Sequence, residues 1–114
     1  MPICALLEMG NHTFQCQWFS EAGKTRHEEE VPWSAVTKVE VFKRDMFTYD
    51  LICLTIQHEG GESIELDEED MHWDHFVSRL PVHLNGALPW GGWFSDVAFP
   101  AFEKKAQTIY IKQS

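Results

Sequence analysis

The chain has 114 residues and a formal net charge of −9, and 44 % of its residues are apolar. This length predicts one domain over residues 1–114, with enough apolar residues to form a folded core. The acidic balance excludes a nucleic-acid or anionic-membrane surface, because both need clustered Lys and Arg, and no apolar run approaches the ~20 residues that span a bilayer.

The start of the chain lacks the basic-then-apolar pattern of a secretion signal, so we expect a cytoplasmic location. Cys4, Cys16 and Cys53 are odd in number and lie in strand-like segments. This distribution predicts reduced, buried thiols rather than a disulfide framework.

Residues 3–19 predict a β-hairpin with Gly10-Asn11 as its two-residue loop. The pairs that this loop would place together on one face are Leu7 with Phe14, Ala5 with Cys16, and Ile3 with Trp18. Residues 25–31 predict a polar strand at a sheet edge, where its charges discourage unwanted pairing.

Residues 36–43 predict a further strand, with Val39 and Val41 on one face. The connection after it, residues 44–50, carries Met46, Phe47 and Tyr49 between charged residues. These side chains would either form an exposed apolar binding site at the tip of a hairpin or fold back under the sheet.

The rest of the fold is organised around residues 51–66. In residues 51–56, apolar side chains occur at both the odd and the even positions, which is typical of a strand buried on both faces. A three-residue loop, Glu59-Gly60-Gly61, would pair Ile56 with Ile64, whereas a two-residue loop would exchange the buried and exposed faces. The three-residue loop also predicts a left-handed backbone at Gly61.

Residues 68–80 predict a helix that packs over this hairpin. Asp67 is the expected N-cap, and Asp70 stands where a capping-box acid belongs. The residues at helical spacing that form one apolar stripe are Trp73, Phe76, Val77 and Leu80. Pro81 is expected to end the helix.

Residues 85–102 are unusually aromatic, and Trp90, Trp93, Phe94 and Val97 fit one face of a short helix. This segment would either cover an open sheet face or expose an aromatic patch to a partner. Residues 108–111 predict a last strand, with Ile109 and Ile111 on one side.

These elements predict an α+β, mainly β fold. It is a strongly twisted antiparallel sheet or open barrel, capped by one helix over about residues 68–80. An aromatic-rich covering segment and a last strand complete it.

The order VPWSAVTKVEVFKRD, then LICLTIQHEGGESIEL, then a helix, resembles the core of small bacterial pleckstrin-homology-like (PH-like) domains over about residues 30–80. The resemblance implies a protein-interaction scaffold rather than a phosphoinositide reader, since the loop Met9-Gly10-Asn11-His12 has no basic cluster. In size and acidity the chain also resembles bacterial immunity proteins, which neutralise a toxin partner.

Two groupings could carry chemistry. His72 and His75 lie three apart on the predicted helix, a spacing that can hold a metal, but no third ligand is near in sequence and both lie off the apolar stripe. The opening Pro2-Ile3 with Gly10 resembles the tautomerase family, which implies an N-terminal proline amine as general base. The strand pattern after Gly10 departs from that family, which has a helix there. We therefore expect no enzyme, no metal and no cofactor.

The leading hypothesis is a non-enzymatic cytoplasmic domain that binds a protein partner with a basic surface. The expected binding residues are an acidic edge, Glu62, Glu65, Glu68 and Glu69, and an aromatic set, Phe47, Trp90, Trp93 and Phe94. The alternatives are an immunity-type inhibitor of a basic toxin, a homodimer formed through the aromatics, and a small tautomerase-like enzyme.

Overall fold

The computed structural model describes residues 4–19, 26–61, 63–98 and 106–113, and about half of these described residues are in strands. The elements in these ranges are β1 (Ala5–Met9), β2 (Thr13–Phe19), β3 (Arg26–Pro32), a 3-10 turn (Trp33–Ala35), β4 (Val36–Asp45), β5 (Asp50–His58), β6 (Ile64–Asp67), α1 (Trp73–His83), α2 (Trp90–Ala98) and β7 (Ala106–Ile111). One antiparallel sheet has the order β1-β2-β3 and the other has the order β6-β5-β4-β7. The prediction of a mainly β, antiparallel α+β fold is confirmed.

The β5–β6 hairpin has the predicted register. Ile56 pairs with Ile64, and Leu54 pairs with Leu66, so the three-residue loop is correct. The expected left-handed backbone at Gly61 is wrong, because its φ is not positive. The side chain of His58 holds this turn instead, since its Nδ1 accepts a hydrogen bond from the Gly60 N–H at 3.2 Å.

The β1–β2 hairpin has a different register from the predicted one. Gly10 N–H donates to the Thr13 carbonyl at 2.8 Å, so the two loop residues are 11 and 12. A bulge at Leu7 then shifts the pairing, and Leu6 lies opposite Cys16. As a result, Leu6 and Cys4 are buried rather than Leu7 and Ala5.

Helix α1 begins later than predicted, at Trp73. Asp67 is the last residue of β6 and not an N-cap, and its Oδ1 accepts a hydrogen bond from the Glu69 N–H at 2.9 Å. Asp70 Oδ1 accepts from the His72 N–H, while its Oδ2 accepts from the Leu6 N–H at 2.9 Å. These carboxylates hold a turn between β6 and α1, and that turn takes the place of the first helical residues.

The end of α1 also differs from the prediction, because Pro81 lies inside the helix, which continues to His83. The Leu84 N–H donates to the Leu80 carbonyl at 2.7 Å and closes the last turn. The predicted apolar stripe is confirmed, since Trp73, Phe76, Val77 and Leu80 are all buried.

The core lies between the sheets and the two helices. Phe14 of β2 packs on Phe76 of α1 and on Trp33, with ring centroids 5.6 and 4.7 Å apart. The two sheets meet where the Cys4 N–H donates to the Glu65 carbonyl at 2.8 Å.

Helix α2 contacts β4, β5 and β7, and it covers the four-stranded sheet. Its neighbour β7 pairs with β4, but the register shifts at Ile109. Ile109 is therefore buried while Ile111 is 57 % exposed, and the prediction that they share one side is wrong. The Ile109 carbonyl accepts a hydrogen bond from the Leu88 N–H, which ties the segment before α2 to this strand.

Candidate functional site

The tip of the β4–β5 hairpin projects the most exposed aromatic side chain of the described residues. Phe47 is 94 % exposed, and Met46 and Tyr49 beside it are also exposed. The sequence left open whether these side chains project from the hairpin tip or fold back under the sheet, and in the structure they project. Phe47 has a φ of 75°, which is left-handed and costs a residue with a Cβ about 1–2 kcal/mol.

Hydrogen bonds hold this tip in one conformation. The Phe47 N–H donates to Asp45 Oδ1 at 2.8 Å, and the Met46 N–H donates to the Tyr49 carbonyl at 2.9 Å. The Thr48 N–H donates to the Met46 carbonyl at 3.0 Å. The exposed ring is thus presented on an ordered loop, which lowers the entropy lost when a partner binds.

The acidic turn between β6 and α1 lies beside this tip. The Tyr49 hydroxyl donates to Glu69 Oε1 at 3.1 Å, and Glu68 Oε1 accepts from the Ile52 N–H at 3.0 Å. The hydrogen bond to Glu69, together with its negative charge, raises the pKa of Tyr49. Glu68 and Glu69 both remain exposed. Phe47, Tyr49, Glu68 and Glu69 form one surface, which we call the acidic tip.

Glu65 is not part of this surface, although the strand alternation predicts it to face solvent. Its side chain is 7 % exposed and forms two hydrogen bonds of 3.0 Å with the guanidinium of Arg44. The hydrogen bond to Glu65 raises the pKa of Arg44. The charge of Glu65 is therefore neutralised within the fold, and Glu62 lies outside the described residues.

The aromatic segment mainly covers the sheet. Trp93 and Val97 are buried, so the Trp93 side chain has no surface to offer to a partner in this conformation. Trp90 and Phe94 are half-buried and stack on each other, with ring centroids 4.2 Å apart. The covering role is the one that the structure shows for Trp93, while Trp90 and Phe94 keep part of their area in solvent.

A second region was not foreseen from the sequence. The three-stranded sheet and the β5–β6 loop enclose a cavity of about 240 Å³. Its lining residues are Cys4, Trp18, Glu29, Gly60, Gly61, Ser63 and Ile64. Next to it, His58 Nε2 lies 3.4 Å from Glu29 Oε1, and the His58 side chain is 2 % exposed. No local signal links His58 to Glu29, because the pair forms only when β3 packs near the end of β5.

The cysteines are buried as predicted, and they form no disulfide. Cys16 donates a hydrogen bond to the Cys4 sulfur, which lowers the pKa of Cys4 and raises that of Cys16. Burial raises the pKa of Cys53 to about 12.

Within the described ranges, three or more His, Cys, Asp or Glu side chains do not come together as a metal site. His75 is exposed on α1, and His72 is exposed at the residue before the helix begins. Pro2, the residue of the tautomerase resemblance, lies outside the described residues. The helices that the structure describes are too short or too polar to cross a membrane.

In comparisons with protein-family models, curated protein sequences and solved structures, no match to this chain was found. The geometry of the described residues therefore carries the functional argument alone.

Proposed function

We propose that this chain is a non-enzymatic, cytoplasmic protein-interaction domain, which binds a partner with a basic surface through the acidic tip. The observation that carries the proposal is Phe47, a large apolar ring that is almost fully exposed on a left-handed backbone. A residue held in such a conformation lowers stability, and strain of this kind concentrates at ligand-binding positions.

Charge supports a basic partner. Glu69 accepts a hydrogen bond from Tyr49 of the same hairpin tip, Glu68 is the exposed residue before it, and the whole chain carries a net charge of −9. An aromatic anchor surrounded by charges is a common arrangement at interfaces, where the ring supplies affinity and the charges supply association rate and specificity. An immunity-type inhibitor of a basic toxin is one protein that would use such a surface.

The finer fold proposal is a PH-like open barrel. Its support is that two antiparallel sheets meet at the hydrogen bond from the Cys4 N–H to the Glu65 carbonyl and that α1 packs on Phe14 inside. An experimental structure in which these sheets share no edge would refute it.

Affinity capture from cells that express the tagged chain tests the interaction. We expect Phe47→Ala to weaken retention of the partner at least tenfold, which is the loss of about 1.4 kcal/mol or more expected for a central anchor. The double variant Glu68→Lys/Glu69→Lys should slow association and remove most of its salt dependence.

Matched controls exist on the other sheet. Phe19 is 54 % exposed, and Glu28 and Glu30 are exposed on β3. Phe19→Ala and Glu28→Lys/Glu30→Lys remove the same kinds of group and should leave capture unchanged. Equal retention by all variants, or equal loss in the controls, would contradict the proposal.

Self-association would be a different outcome of the same experiment. Sedimentation of the purified chain that shows a dimer in the parent and a monomer in Phe47→Ala would identify a second copy as the partner.

A further inference from the structure

Two of the buried thiols are neighbours, one just before β1 at Cys4 and the other in β2 at Cys16. Leu6 lies opposite Cys16, and Cys4 precedes Leu6 by two residues, so Cys4 and Cys16 point to the same face of the sheet. Both are buried, and Cys16 donates a hydrogen bond to the Cys4 sulfur. The two thiols are therefore near neighbours on one buried face before any reaction.

One member of the pair is reachable by a small molecule. Cys4 lines the cavity of about 240 Å³ between the sheets, whereas Cys16 is completely buried behind it. The hydrogen bond from Cys16 lowers the pKa of Cys4, which increases the share of its thiolate form. The thiolate is the form of cysteine that reacts with oxidants.

We propose that Cys4 and Cys16 form an oxidation site, in which a small two-electron oxidant such as hydrogen peroxide enters the cavity and converts the pair into a cross-strand disulfide. In the first step the Cys4 thiolate attacks one peroxide oxygen. An S–O bond forms while the O–O bond breaks, giving Cys4 sulfenic acid and hydroxide, which takes up a proton to become water.

In the second step the Cys16 sulfur attacks the Cys4 sulfur. The S–S bond forms, the S–O bond breaks, and the proton of Cys16 leaves with the hydroxide as a second water. Each sulfur loses one electron, and the peroxide gains two. Cys4 is the attacking residue because it lines the cavity, and Cys16 is the resolving residue because it is the neighbouring thiol on the same face.

Cys53 provides an internal control. It is buried in β5, it does not line the cavity, and burial raises its pKa to about 12. We therefore expect Cys53 to remain a thiol while the pair reacts.

The test is hydrogen peroxide treatment of the full, folded chain, followed by thiol counting and peptide mapping under non-reducing conditions. The parent should lose two of its three thiols with a mass decrease of about 2 Da, and a reductant should restore both. Cys53→Ala should form the same disulfide at the same rate. Cys16→Ala should stop at a Cys4 sulfenic acid, which a sulfenic-acid probe would label.

A disulfide that includes Cys53, a Cys4 product that forms while Cys16 stays a thiol in the parent, or three thiols that survive treatment would each overturn the proposal. The parent protein alone gives these results, so the test stands even where Cys16→Ala does not fold. It is also independent of the acidic tip, because partner capture and thiol counting are separate measurements.

Discussion

Replacement of Phe47 by glycine should stabilise the protein. The φ of 75° at Phe47 costs a residue with a Cβ about 1–2 kcal/mol. Glycine avoids this cost, but it adds about 0.5–1 kcal/mol of backbone freedom to the unfolded chain. Because the ring is 94 % exposed, little packing is lost, and the net gain in the free energy of unfolding should be about 0.5–1 kcal/mol.

Phe47→Ala separates the backbone effect from the loss of the ring. Alanine removes the same aromatic group but keeps the Cβ, so its free energy of unfolding should stay within about 0.5 kcal/mol of the parent. Urea unfolding followed by circular dichroism measures both variants, and an unchanged slope against urea would show that the unfolded state is the same.

A glycine variant that is less stable than the alanine variant would refute the reasoning, because the left-handed conformation would then carry no penalty at this position. A loss in both variants would show instead that the ring packs against the fold. The expected combination is a more stable Phe47→Gly protein that captures its partner less well, a trade-off that is common at binding sites.

Three further predictions concern the core and the charged groups. Trp93→Ala should lower the free energy of unfolding by about 3–5 kcal/mol, because a ring that is 1 % exposed leaves a cavity; a loss below about 1 kcal/mol in urea unfolding would mean that α2 does not seal the sheet. Arg44→Met should cost about 1–3 kcal/mol, because it leaves the carboxylate of Glu65 buried without its partner, and Glu65→Gln in the same background should recover part of that cost in a double-mutant cycle. Burial lowers the pKa of His83 in the folded state. Neutral His83 therefore contributes stability above its unfolded-state pKa of about 6.5, and this contribution is lost as the pH falls through its folded-state pKa. His83→Phe keeps the stack on Trp33, whose ring centroid lies 4.4 Å away, and should make thermal stability between pH 7.5 and about 5.5 fall less steeply than in the parent; equal slopes would show that another group titrates.

Part of the candidate site could be predicted from local signals. Glu68 and Glu69 are exposed as expected for charged residues, whereas the sequence left two alternatives for Phe47 and only the structure shows that it is exposed. The proximity of the hairpin tip to the acidic turn could not be predicted, since the hydrogen bond from Tyr49 to Glu69 joins two loops that are twenty residues apart. The burial of Trp93 was likewise open, because the face that α2 covers is built from strands distant in sequence.

The sequence by itself determined the elements whose signals are periodic and local. The pairing of Ile56 with Ile64 and the buried stripe of α1 follow from it, because a slip of one residue would expose apolar side chains to water. Tertiary structure alone decided where α1 begins, because Asp70 accepts a hydrogen bond from Leu6, sixty-four residues away in the chain. It also decided that Glu65 is buried, because Arg44 on another strand supplies two hydrogen bonds that replace those of water.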